Sequence, residues 1–469
     1  MVALVAFVNA GAWALITPNY QAPDEPSHVG YAVELAETGH PPRNDSNHGV
    51  ASDDALALAG GLNTFEMLQF GTDTRPSWLK EQERAYQRLA AGKLSRTNGG
   101  GPSTASVHGP VYYAFPALGY RLLYDAPFTD RMFAMRLASA LLAAFTVAFV
   151  YLTVRELVPR QPWAAAAAAL LVAFQPMFGF LGGTVNADVG VNLAGAGLIY
   201  LLVRALRRGL TLRLAIAIPA AFVLGVLAKA TMLAFLPVLA LALALLAWRR
   251  SGTLRDWAAM AATGAGLVVL WAAVIGPAYH HSFLPAPGGG GSVGTPIGLK
   301  GTLSYIWQIF LPPLPFMHHD FAPGIHPVWD IYVIRSWGSF GWLDVNLQHP
   351  IFAAVAVAMV VVILLALRGL WLERAVVRRR WPELLVLFAS FVCVAGFAHA
   401  AFARVNPAAP ILEQGRYLLP AATVGACAAV AACYGLGRRL APTGGLVLVG
   451  GMMLLSAYAQ LYVFAAYFT

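Results

Sequence analysis

Residues 132–161 read MFAMRLASALLAAFTVAFVYLTVRELVPRQ. The apolar run from Met132 to Val154 stops at a short basic segment. A helix rises about 1.5 Å per residue, so about 20 apolar residues cover the roughly 30 Å hydrocarbon core of a bilayer. This stretch is long enough to span. The same alternation recurs along all 469 residues, at 2–17, 132–154, 162–179, 186–203, 211–228, 231–248, 257–275, 350–367, 382–402, 416–436 and 443–465. Composition agrees, with 58% hydrophobic residues, 11% charged and a mean hydropathy of +0.63. The pattern predicts an all-α polytopic membrane protein of about 11 transmembrane helices.

The net charge of +9 raises the question of nucleic acid, but its distribution answers it. Alternate loops, RELVPRQ, RALRRGLTLR, WRRSGTLRD, RGLWLERAVVRRRWPE and GRRLAP, hold 16 of the 31 Lys and Arg. By the positive-inside rule they face the cytoplasm, and no nucleic-acid partner is implied. Of 22 acidic residues, Glu156, Asp256, Glu373 and Glu383 alone fall on that side. The opposite side carries two long segments, 18–130 and 276–349, so residues 1–469 read as one transmembrane domain with two extracytoplasmic segments. The first span is only about 24 Å long as a helix and lacks a basic flank. It is a poor signal peptide, which points to residues missing before Met1. Cys393, Cys427 and Cys433 all lie in apolar spans and imply neither disulfides nor a metal site.

The chemistry concentrates on the outer side. The first span is followed by ITPNYQAPDEPSHVGYAVELAETGHPP (16–42), with Asp24 and Glu25 between two prolines. PSHVGYAVELAETG has the pattern of a surface helix, with Val29, Val33 and Ala36 on one side and Gly39 ending it. Asp24 suits a helix cap before Pro26. A cap does not need two acids, and adjacent like charges raise one pKa, which suits a general base. Lys229, in LGVLAKATMLAFLP, and Arg416, in LEQGRYLLP, stand at outer helix tips, with Arg404 one loop before. A cation there either snorkels to headgroups or meets an anion at lipid depth, most economically a lipid phosphate. Asp188, in GGTVNADVGVN, reads as a turn cap or as a ligand for a metal or sugar hydroxyl. His108 stands alone in SVHGPVYY, part of an aromatic stretch expected along the interface. The His318–His319–Asp320 run has no familiar metal spacing. SWLKEQERAYQRLAAG reads as a short helix, and PAPGGGGSVGTP as chain without a fixed backbone.

Taken in order, PDEPSHVGYAVELAETG, HGPVYY, an outward acid between the third and fourth spans, AKAT, WGSFGWLD and GRYLLP resemble the GT-C glycosyltransferases. In particular they resemble an incompletely characterised bacterial branch carrying DEPxH and GRY.LP elements. The resemblance implies an inverting enzyme of the bacterial cytoplasmic membrane, active on its outer face. A polyprenyl-phosphate-linked sugar would be the donor, and a glycan, lipid or protein hydroxyl the acceptor. Asp24 would map to the catalytic base, and Lys229, Arg416 and Arg404 to the donor phosphate. Glu25, His28, His108 and Asp188 would hold acceptor or sugar. No metal is expected in catalysis, and a structural divalent cation in an outer loop is compatible with the sequence. Many relatives carry a soluble C-terminal domain, whereas this chain ends in its last span at VFAAYFT; acceptor recognition would fall to the outer segments. A transporter or flippase for a lipid-linked anion would also use outward cations, but needs ionisable groups through the bundle. A non-catalytic scaffold needs none of these. Twenty-seven Arg against 4 Lys fits a GC-rich bacterial genome.

Overall fold

The computed structural model describes residues 1–42, 80–91, 96, 104–278, 298–321, 324–403 and 413–468. Helices dominate. Among the described residues, β structure is confined to Ser339–Phe340 paired antiparallel with Val345–Asn346. Among the described residues, eight helices are long and apolar enough to cross a membrane, and Val2–Ile16 and Leu212–Ala228 are shorter apolar helices. The run expected as one span over 162–179 is broken into Pro162–Ala173 and Pro176–Gly182, bent by 67°. Pro176 has no N–H to donate and pushes Gln175 into an extended conformation. The Gln175 side chain then caps the second piece, accepting from Phe178 N at 2.5 Å. By length and composition the described residues therefore hold eight candidate spans, or nine with the bent pair counted as one.

Burial sorts these helices into layers. Asp188–Arg208 and Phe128–Leu157 form the centre, with 67% and 56% of their apolar windows buried in protein. Leu254–Ile275 and His349–Leu372 have only 11% and 17%. A helix that is apolar all round and uncovered by protein needs lipid around it; Val357, Val361, Leu364 and Leu367 are exposed in this way.

One expectation about the first outer segment is corrected. The helix Glu25–Thr38 ends at Gly39, at φ +74°, as its sequence predicts, but it is no surface helix. Every residue from Glu25 to Val33 is buried. The cover comes from HGPVYY, whose Tyr113 ring stacks on Tyr31 at 3.7 Å. Tyr112 and Tyr113 are accordingly buried within the protein. Burial is tolerable because the hydroxyls are partnered: Tyr112 meets Ser139 Oγ at 2.7 Å and accepts from Asn186 N at 2.7 Å. Gly109 permits the close approach, since a Cβ there would collide with the Leu227 carbonyl.

The second outer segment packs on the same end. Phe340 sits against Trp13 and Phe180, at 5.0 and 5.4 Å between ring centroids, and Trp342 Nε1 donates to Tyr20 O at 3.0 Å. SWLKEQERAYQRLAAG contains the helix Lys80–Ala90. Arg404 and PAPGGGGSVGTP lie outside the described residues.

Candidate active site

The turn between the first two helices is built around one ion pair. Arg136 lies in the central helix and is 1% exposed. Its guanidinium donates to both Glu25 oxygens, at 2.9 and 2.7 Å, and to the carbonyls of Ala14, Thr17 and Pro18. Glu25 also accepts from Tyr20 N and Val185 N, at 3.0 and 3.1 Å. The carboxylate is thus enclosed and saturated. It has no room for an acceptor hydroxyl, and its charge is offset by Arg136, so the like-charge argument for a matched acid pair fails. Glu25 instead ties the first outer turn to the turn before Asp188, helped by Asn186 Nδ2 donating to Pro23 O at 3.1 Å.

This tie sets Asp24 apart. Asp24 begins the second helix in the left-handed region, at φ 62° and ψ 4°, and makes no side-chain cap bond. Asp tolerates that conformation better than most residues, and strained backbone recurs at functional sites. Its side chain is 51% exposed, in contrast to its neighbour. Asp24 is the accessible acid.

Four residues from four separate turns then meet. Arg416 Nη2 lies 3.2 Å from Asp24 Oδ2, and Arg416 Nε lies 3.5 Å from Asp188 Oδ2. Lys229 Nζ donates to Asp188 Oδ1 at 2.5 Å. Lys229 occupies the extended junction between Leu212–Ala228 and the short 3-10 turn Ala230–Phe235, and points inward instead of snorkelling. Asp188 is the first residue of its helix and not its cap; Asn186 Oδ1 accepts from Asp188 N at 2.9 Å. Asp188 thus has a cation on each side, Lys229 and Arg416. The Tyr417 ring lies 5.7 Å from the ammonium and 5.3 Å from the guanidinium. Arg416 is 3% exposed, yet neither Nε nor Nη1 has a hydrogen-bond acceptor. Nε still faces the Asp188 carboxylate at 3.5 Å, which leaves Nη1 as the buried donor that suits a further anion.

Beside this cluster, His28 and His108 stack at 6.0 Å between centroids, and His28 Nδ1 lies 2.6 Å from Tyr113 OH. Burial, with the Lys229 charge second, lowers the His28 pKa to about 3. The same two causes hold His108 well below its ordinary value. Both imidazoles are neutral at physiological pH, which suits hydrogen bonding and not proton donation. His318, His319 and Asp320 stand apart, the Asp320 carboxylate being engaged by Ser304 and Gln308. Among the described residues, no three His, Cys, Asp or Glu side chains form a metal-ligand group.

A family model described as "Predicted membrane protein (DUF2142)" matches residues 7–424. The chain belongs to this family. No curated protein matches it. Among solved structures, this DUF2142 member is similar to ArnT from Cupriavidus metallidurans bound to undecaprenyl phosphate. Identity is 11% and the TM-score 0.46, over 99% of this chain and 75% of that one. The apo state of the same protein gives 11% and 0.48, over 98% and 76%. These values describe a likeness in the course of the chain, and nothing about chemistry follows from them.

Arg136 is the buried charge behind the site that its place in an apolar span conceals in this DUF2142 chain. Its signal was present: an arginine inside an apolar span costs several kcal/mol unless it faces a partner. Tyr113, Tyr417 and Asn186 carry no comparable mark.

Proposed function

We propose that the chain is an inverting membrane glycosyltransferase of GT-C kind, which moves a sugar from a polyprenyl-phosphate donor to an acceptor hydroxyl at the outer membrane face. The observation that carries this reading is the buried Arg416, whose Nη1 has no acceptor, sharing Asp188 with Lys229 and touching Asp24, the accessible acid of the cluster. The order of GT-C-like motifs supports it independently.

In this reading the donor phosphate enters between Lys229 and Arg416 and takes the Nη1 donor, while Nε stays turned towards Asp188. Asp188 is a positioning residue that holds both cations ready. An incoming anion also competes with Asp24 for Arg416, so donor binding releases the Asp24 carboxylate towards the acceptor. Asp24 then takes the proton of the acceptor hydroxyl, and the oxygen attacks the anomeric carbon. The bond from that carbon to the phosphate oxygen breaks on the opposite face, its electron pair leaving with the polyprenyl phosphate, and configuration inverts. Lys229 and Arg416 stabilise the charge that grows on the leaving group. They supply the neutralisation a divalent ion would give, and the transfer needs no metal. Neutral His28 and His108 line the sugar side.

The test is a titration of Lys229→Ala and Arg416→Ala with a non-transferable polyprenyl-phosphate sugar analogue. Each loses charged hydrogen bonds of about 1.5–3 kcal/mol, or roughly 10–100-fold in affinity, and the losses are not additive because both touch one group. Unchanged affinity in both variants removes them from the site.

A further inference from the structure

A cavity of about 910 Å³ lies at the end of the bundle opposite the candidate active site. The 14-residue helix Ala422–Gly435 runs between the two, starting near Arg416 and ending at the cavity, a separation of about 21 Å along its axis. Leu157, Leu384, Val430 and Ala431 form an apolar wall between helix ends, and Arg160, Arg379, Arg380 and Arg438 stand around it. One acid, Glu373, also lines the space. It is already engaged by Arg438, at 2.6 and 2.8 Å. Among the described residues, Arg160, Arg379 and Arg380 have no carboxylate partner. Trp163 and Tyr434 pack together at 5.7 Å on the same rim, a pair suited to headgroup depth.

The arrangement is amphipathic in the same sense as a phospholipid. Scattered arginines on the loops would satisfy the positive-inside rule alone. Three uncompensated arginines converging on a cavity whose other wall is apolar go beyond it, because basic pockets between spanning helices take anionic headgroups. We infer that this cavity binds an anionic phospholipid of the leaflet opposite the candidate active site. Its phosphate meets Arg160, Arg379 and Arg380, and its acyl chains follow the wall of Leu157, Leu384 and Val430. In the orientation read from the basic loops, that leaflet is the cytoplasmic one. The site is separate from the donor site and independent of the proposed reaction.

The experiment counts lipids bound to the purified full chain by native mass spectrometry, titrating with phosphatidylglycerol or phosphatidylcholine of the same acyl chains. The expected result is a preference for phosphatidylglycerol of at least about tenfold, given the attraction of each basic residue for anionic lipid. Arg160→Gln/Arg379→Gln/Arg380→Gln abolishes the preference, whereas Arg255→Gln, at the same end but outside the cavity, keeps it. Should the triple variant fail to fold, Val377→Trp fills the cavity without changing charge and must also lose the preference. Excess inorganic phosphate leaves the lipid in place, because it brings no acyl chains. Equal retention of both lipids by the native chain overturns the inference. So does a preference that survives the triple variant or Val377→Trp, or displacement of the lipid by inorganic phosphate.

Discussion

Replacing Glu25 by Gln separates a structural acid from a chemical one. The carboxylate receives four donors: two guanidinium N–H groups at 2.9 and 2.7 Å, and the amides of Tyr20 and Val185 at 3.0 and 3.1 Å. A glutamine has one oxygen. Whichever way its amide is turned, an NH₂ faces one Arg136 N–H and one backbone N–H, and Arg136 is left buried without a counter-charge. Breaking a buried pair from one side costs about 3–5 kcal/mol. Asp24→Asn, at a half-exposed side chain, leaves this network intact and shifts stability by less than about 1 kcal/mol. Thermal unfolding of both variants in one detergent therefore gives opposite readings: Glu25→Gln melts several degrees lower, and Asp24→Asn melts with the parent. A Glu25→Gln variant as stable as the parent but without turnover would instead place Glu25 in the chemistry.

The remaining expectations concern protonation and metal. His28 has a pKa of about 3 in the folded chain against 6.5 in the unfolded one, so the unfolded chain takes up the proton first as pH falls. Its contribution is present above pH 6.5 and falls away below it, the loss amounting to about 3 kcal/mol at pH 4.5; His28→Gln should flatten that part of the stability profile, and an unchanged profile would contradict the burial of a neutral imidazole there. Transfer activity should survive exhaustive chelation. Loss of turnover in a still-folded enzyme, restored by Mg²⁺ or Mn²⁺, would instead make Asp188 a metal ligand.

Much of the architecture was legible because lipid leaves few choices. Each apolar run became helix, and the acids and cations stranded at helix tips were conspicuous for their cost. Asp24, Asp188, Lys229 and Arg416 were all marked in that way, and they meet. What stayed hidden depended on partners distant in sequence. The two acids of PDEP look equivalent until Arg136, 111 residues on, takes one of them. The burial of Glu25–Thr38 depends on Tyr112 and Tyr113 folding over it, which no periodicity within the helix records. The 67° break at Gln175–Pro176 was visible as a proline, but its angle depends on what the second piece packs against. Gln175 Nε2, for example, donates to Ser336 O from the far outer segment at 2.6 Å.

The most direct test of the central claim is single-turnover sugar transfer by Asp24→Asn, supplied with a polyprenyl-phosphate sugar donor and assayed beside donor binding. The variant keeps the shape of the side chain but cannot accept the acceptor's proton. The expected result is a fall in transfer of at least about 100-fold with the donor still bound. Transfer at the parent rate by a folded, donor-binding Asp24→Asn would contradict the account.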